Sequence, residues 1–386
     1  MNHLYGNPSD IFLRKGASRR KLLSIAALSL GLVVSTAANE NPFWEQFGKR
    51  AVSIQQGSGP GAQTLKFLDY KDGMLIAELE GGAGEISVPV SETMVGNLRL
   101  ATPELPRARE RLSQGDFLGA LHILRPMAYP FVKFHQLPAS FTQLHVPVQE
   151  MLNALIRAGE LDEARDLINR IELDKVTADY NSNAIQLMNA YLAASNYDPA
   201  IEIAMQLPVE GGHSSNIRPL LDATHALRDA GKFDAVIPLY RTIEAAVSGE
   251  ARENIRMWLA YSFVLANRLD EAAPIMNALK EPHPSHRLFS LYQLLQGSRE
   301  YKNQNYTEAL DILTRGFVRA QTNYAWVPEM LFMIGDCYAR ADDTTAARNV
   351  WTEIAVLYPT SQWGRRANES LEKLPPPPAA EATPEI

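Results

Sequence analysis

From about residue 105 the apolar positions recur at helical spacing, in short stretches that return in the same form along the chain. The segments QGDFLGALHIL (114–124), AGELDEARDLI (158–168), ASNYDPAIEIA (194–204), AGKFDAVIPLY (230–240), ANRLDEAAPIM (266–276), NQNYTEALDIL (303–313) and ADDTTAARNVW (341–351) align on Gly115, Gly159, Ser195, Gly231, Asn267, Gln304 and Asp342. The intervals between these are 44, 36, 36, 36, 37 and 38 residues. A fixed period of that size predicts a solenoid of helix pairs. In each unit a turn residue ends the first helix, and an aromatic or leucine follows to pack the elbow: Phe117, Leu161, Tyr197, Phe233, Leu269 or Tyr306. A small residue then sits where two helices meet: Ala120, Ala164, Ala200, Ala272, Ala309 or Ala347, with Val236 in the fourth unit. Asp198-Pro199 reads as a helix cap followed by a first-turn proline. The first interval is eight residues too long, and MAYPFVKFHQLPASFTQLHVPV reads as an extended helix end with a loop.

Residues 39–100 follow a different period. AVSIQ, TLKFLDY, MLIAELE and EISVPV alternate and are separated by GSGPGA, KDG and GGAG, which predicts four or five short strands in a small barrel or curled antiparallel sheet. Asp72-Gly73 suits a hairpin turn that needs positive φ. The predicted fold is therefore mainly α: a solenoid of about seven helix pairs over 105–374, ending in a capping helix from TSQWGRRANESLEKL, with a small all-β, barrel-like domain before it.

The chain ends add location. Residues 1–38 combine the basic run RKGASRRK, the uncharged LLSIAALSLGLVVSTAA and small residues at its end, which reads as an export signal cleaved after Ala37 or Ala38. The alternative is an uncleaved inner-membrane anchor at 22–38, and Ser18-Arg19-Arg20-Lys21-Leu22-Leu23 also resembles a twin-arginine signal. Membrane contact is expected only through this segment. The tail 375–386, PPPPAAEATPEI, has the composition of a disordered segment.

Composition narrows the function. Loss of residues 1–38 leaves 32 basic against 43 acidic residues, a net charge of −11, which disfavours nucleic acid as a partner. The single cysteine, Cys337, leaves no internal disulfide, so stability must come from packing. H-E-x-x-H, G-x-S-x-G, Walker-type phosphate loops and paired C-x-x-C motifs do not occur in the sequence, and no enzyme activity, cofactor or metal is expected. The closest histidine pair after residue 38, His283 and His286 in PHPSHR, reads as a surface turn. Cys337 reads as a buried structural thiol.

The repeat pattern resembles the tetratricopeptide repeat, best in the last unit, where Leu331, Ile334, Gly335 and Tyr338 fall on the first helix and Ala347, Trp351, Ile354 and Pro359 on the second. The resemblance implies that each first helix lines a concave groove. Carried onto this chain, the groove positions are Asn153, Asn189, Arg218, His225, Arg228, Met257, Tyr261, Tyr301, Phe332 and Asp336, with the apolar Ile185, Leu192, Leu221 and Leu294 among them. Ile185 stands where a carboxylate clamp needs lysine. VWTEIAVLYPTSQWGRRANESLEKL is similar to the repeat ending of two families of exported bacterial proteins, the lipoprotein of the outer-membrane barrel assembly machine and the Tol–Pal division coordinator. The lipid-accepting cysteine of the first and the coiled coil of the second have no counterpart here.

These readings converge on a non-enzymatic scaffold of a bacterial cell envelope, periplasmic, that binds an envelope protein or peptide in the groove. Two alternatives differ in kind. In one, residues 39–100 carry a ligand-binding or enzymatic role with the repeats as a handle; in the other, the array self-associates as part of a secretion or outer-membrane assembly.

Overall fold

The computed structural model describes residues 41–56, 63–78, 84–90, 98–100, 102–139, 143–176 and 179–376. The predicted export segment 1–38, the turn 57–62 and all but the first two residues of the tail 375–386 lie outside the described residues. Among the described residues no helix is long and apolar enough to cross a membrane.

Among the described residues the protein is mainly helical, with fifteen helices in a tetratricopeptide-like arrangement and a small antiparallel β region at its N-terminal side. The helices form seven pairs and a cap: α1 (Leu105–Ser113) and α2 (Phe117–Ala128); α3 (His145–Ala158) and α4 (Leu161–Asn169); α5 (Tyr180–Ala193) and α6 (Tyr197–Gln206); α7 (Ile217–Asp229) and α8 (Phe233–Ala246); α9 (Gly249–Leu265) and α10 (Leu269–Ala278); α11 (Leu288–Lys302) and α12 (Tyr306–Phe317); α13 (Val327–Arg340) and α14 (Thr344–Leu357); then α15 (Gln362–Lys373).

One local rule makes every pair. All seven aligned turn residues adopt positive φ, from 57° at Ser195 to 82° at Gly159. In each, the amide of the following residue reaches back to a carbonyl five residues earlier, as in Asn196 N to Tyr191 O at 2.9 Å and Asn305 N to Glu300 O at 2.9 Å. This is the Schellman closure, which satisfies the orphan carbonyls of the first helix and reverses the chain. The elbow residues are the first residues of their second helices, and all seven small positions, Val236 included, are buried. Tertiary packing supplies the rest, since helices of this length are marginal alone. At the third turn the residue before the helix is Asn196; Asp198 lies inside the first turn, where its charge complements the helix N-terminus. Ser361 caps α15 by accepting from the Gly364 amide at 2.9 Å.

The strands β1 (Val52–Gln56), β2 (Gln63–Lys71), β3 (Met74–Glu78), β4 (Glu85–Pro89) and β5 (Leu98–Leu100) form one antiparallel sheet in the order β4-β3-β2-β1-β5. The order is open: β4 and β5 are its two ends. Asp72 and Gly73 turn the β2–β3 hairpin with positive φ. One face buries Val52, Ile54, Phe67, Leu75 and Ala77.

The overlong first interval explains how this sheet is held. After α2 the chain continues as a tight helical turn, Tyr129–Phe134, in which Tyr129, Pro130, Phe131, Val132 and Phe134 are buried. Phe134 meets Phe67 of β2 at a ring separation of 6.4 Å, and Lys133 donates to the Arg50 carbonyl at 2.8 Å. A strap over residues 41–50, which sequence periodicity did not reveal, clasps the same platform. Asn41 Nδ2 donates to Tyr129 Oη and Asp166 Oδ2, each at 2.9 Å, while Arg125 and Arg170 lie 4.1 Å and 4.3 Å from the ring centres of Phe43 and Trp44. Arg125 in turn forks onto Glu163 at 3.0 Å and 2.6 Å.

Candidate functional site

The side that the tetratricopeptide resemblance makes concave, that of the first helices of the pairs, has two regimes. Along α1, α3 and α5 it is open. A cleft of about 340 Å³ is lined by Leu112 of α1, by Glu150, Asn153, Ala154 and Arg157 of α3, and by Gln186 of α5. Positions 150, 153 and 157 share a helix face because they are three and four residues apart, while Met151, Leu152 and Leu155 turn the other way into the core. Arg109 holds one oxygen of Glu150 through two nitrogens at 2.8 Å and 2.6 Å; the other oxygen, Oε2, is buried and without a hydrogen-bond partner. Asn153 accepts from Asn183 at 2.9 Å. The Arg157 guanidinium is exposed, 5.5 Å from the Phe117 ring centre. Asn189 continues the polar face one turn beyond Gln186 and is exposed. The site therefore offers amides, one cation and a carboxylate on a rigid helical wall. That chemistry suits the hydrogen-bonding backbone and polar side chains of a peptide.

Along α7, α9, α11 and α13 the same side is closed. Arg228 of α7, Met257 and Tyr261 of α9 and Leu294 of α11 are buried, and so is Phe332 of α13. At Arg228 and Tyr261 the expected groove is filled by side chains of the fourth, fifth and seventh units, which meet there. Arg228 and Glu329 are 3% and 2% exposed, and Arg228 Nε lies 3.8 Å from Glu329 Oε2. Tyr261 donates to Glu329 Oε1 at 2.5 Å, Arg228 donates to Tyr240 Oη at 3.2 Å, and its guanidinium carbon sits 3.7 Å from the Trp258 ring centre. Burial holds the Glu329 carboxyl above the usual carboxylate range, against the opposing pull of Arg228 and of the Tyr261 hydroxyl. Burial, followed by the charges of Arg228 and Arg218, lowers the His225 imidazole to about 3.

The other predicted positions divide between these regimes. Arg218 is exposed and paired with Asp222 at 2.9 Å, and His225 is half-buried beside the Trp258 edge at 6.1 Å. Ile185, Leu192 and Leu221 are half-buried. Tyr301 donates to Asp336, which also takes Arg340 at 2.6 Å, so both are committed to a neighbouring-unit contact. Phe332 is stacked on Trp351 at 6.1 Å and covered by Trp363 and Arg366 of the cap at 5.4 Å and 4.5 Å. Of the ten predicted residues the cleft wall takes in Asn153, with Asn189 one turn away. Sequence reasoning missed Leu112, Glu150, Arg157 and Gln186, and it missed Glu329. A signal for Glu329 was present: a lone carboxylate inside the apolar run Trp326-Val327-Pro328-Glu329-Met330-Leu331-Phe332 must find a buried partner.

Among the described residues there is no group of three or more His, Cys, Asp or Glu side chains that could hold a metal ion. His283 meets Ser285 at 2.8 Å and His286 faces Glu250 at 3.8 Å, both at the surface. Cys337 is buried and its thiol is pushed up to about 12 by that burial.

Two stretches, residues 221–286 and 329–361, match tetratricopeptide-repeat family models. Both lie in the C-terminal part of the chain and support tetratricopeptide repeats there. The first match runs from α7 to the loop after α10, and the second covers α13 and α14 to the start of the cap. Tetratricopeptide repeats point to a scaffold for protein partners, and no catalytic family is indicated. No curated protein is significantly similar to the chain.

Proposed function

We propose that this protein is an interaction scaffold of a bacterial cell envelope and that it holds an extended segment of a partner protein in the cleft of α1, α3 and α5. One observation carries the reading: among seven units that share one packing rule, the first three leave amide and charged side chains facing an open cleft, whereas in the last four Arg228 and Glu329 are buried against each other. Packing does not require Arg157, Gln186 and Asn189 to be polar and solvent-facing at once, and a binding face does. The envelope setting rests on the basic, apolar and small-residue succession of residues 1–38 and on the likeness of residues 350–374 to exported repeat proteins.

Two measurements test this separately. N-terminal sequencing of the protein recovered from the periplasm should begin at Ala38 or Asn39; recovery only from the cytoplasm with residue 1 intact would remove the envelope setting. For the cleft, the N153A/R157A/Q186A variant should lose at least about tenfold in affinity for a partner purified with the wild-type protein, while melting within a few degrees of it. Equal affinity would place the binding surface elsewhere.

A further inference from the structure

Solenoids are held by contacts between neighbouring units. The fourth and seventh units break that rule. Arg228, at the end of α7, and Glu329, at the start of α13, meet across the concave side with two whole units between them in sequence. The fifth unit joins the same cluster, since Trp258 supports the guanidinium and Tyr261 donates to the carboxylate. Beyond them the cap crosses back to the fourth unit, with Gln362 Nε2 reaching Asp229 Oδ1 at 3.4 Å.

The chemistry of the pair states what it is for. A buried ion pair contributes little beyond what apolar side chains of similar size would give, but removing either partner leaves the other charge buried and uncompensated. The cluster draws on three units at once, so opening the superhelix here separates Glu329 from both Arg228 and Tyr261. Arg228 Nε has no hydrogen-bond partner and 3.8 Å is beyond hydrogen-bond reach, so the attraction is between charges and does not depend on one exact bond.

We propose that Arg228 and Glu329 form a lock that closes the fourth to seventh units into one body with the cap, so that this half of the solenoid opens as a whole and not unit by unit. The closed body then serves as a fixed wall beside the open units.

Hydrogen exchange of the whole protein, resolved by peptide, tests the lock. Glu329→Gln keeps the acceptor for Tyr261 and nearly the same shape while removing the charge. It should raise exchange by at least about tenfold in α7, α13 and α15 together, leaving α3 and α5 unchanged. Leu187→Ala in α5, a buried apolar position packed in the ordinary way, should loosen its own and adjoining units only. Arg228→Met should act like Glu329→Gln, and the double variant Arg228→Met/Glu329→Leu should be no worse than either single change. Additive effects in the double variant, or increased exchange in α13 with α7 and α15 unaffected, would overturn the proposal.

Discussion

The first three units and the last four are built by one rule and end in opposite states. In both, a positive-φ turn, an elbow residue and a small contact residue make the helix pair. What differs is the face each first helix turns to the concave side: Glu150, Asn153, Arg157 and Gln186 on α3 and α5, against Met257, Trp258, Tyr261 and Glu329 on α9 and α13. The repeat rule fixes how a unit is made and leaves the use of its inner face to a few residues. Bulky aromatic and apolar groups draw the units together; amides and an unpaired guanidinium keep them wet.

The largest expected difference between the halves lies in their carboxylates. Glu329→Ala removes one partner of a buried pair and should destabilise by about 3–5 kcal/mol. Glu150→Ala breaks an ion pair whose arginine side chain is 54% exposed, where the expected loss is about 0–1 kcal/mol. Urea midpoints of the two variants should therefore separate widely. Similar values would mean that the two concave faces are energetically alike and that the contrast is only one of shape.

Next in size is a change expected to treat the halves equally. Ala164 in the second unit and Ala347 in the seventh are both fully buried at the helix contact. Leucine at either should overfill it and reduce stability by about 1–3 kcal/mol. A loss at Ala347 with none at Ala164 would show that the shared rule does not extend to the open half.

Much of this was legible in the sequence, for identifiable reasons. The seven turn residues were found by alignment because the helix reversal needs a left-handed residue at a fixed place, and the tolerance of Gly, Asn, Asp and Ser there leaves a mark. The overlong first interval marked the platform of Tyr129–Phe134, but not what it carries. The strap 41–50 has no period to read: its anchors are an amide on a distant tyrosine and two aromatic rings under arginines, and each partner lies far along the chain. Closure was hidden for the same reason. The apolar run around Glu329 signals that it needs a buried partner, but that the partner is Arg228 depends on the angle accumulated over three units, which no local pattern records. Five groove positions projected one unit at a time, Arg228, Met257, Tyr261, Leu294 and Phe332, consequently fell inside the packing.

Acid should also act more on the closed half. His225 is held neutral by burial and by the charges of Arg228 and Arg218, far below its unfolded value of about 6.5. A histidine depressed in the folded state stabilises fully above its unfolded pKa, and that contribution is lost as pH falls from about 6.5 toward 3. Between pH 7 and 5.5 it amounts to about 1 kcal/mol. His145, at the start of α3, is lowered by burial and acts in the same direction, so His225→Gln should reduce the slope of stability with pH in this window without abolishing it. An unchanged slope would mean that the His225 side chain is not confined beside Arg228 and Trp258.

The smallest effect is a gain, and it tests the rule that both halves share. Gln304 turns between α11 and α12 at φ 64°, where a side chain with a Cβ is disfavoured, yet Gly231 does the same work at φ 73° two units earlier. Gln304→Gly relieves that strain but gives the unfolded chain more freedom, and the two terms oppose each other. Because the turn already fixes the left-handed conformation through the Asn305 amide bond to Glu300 O, relief should prevail by about 0.5–1 kcal/mol. The reverse change at an equivalent turn, Gly159→Gln between α3 and α4, should lose a similar amount. If both substitutions moved stability in the same direction, the turns of the open and closed halves would not be interchangeable, and the difference between the halves would begin in the backbone and not at the concave face.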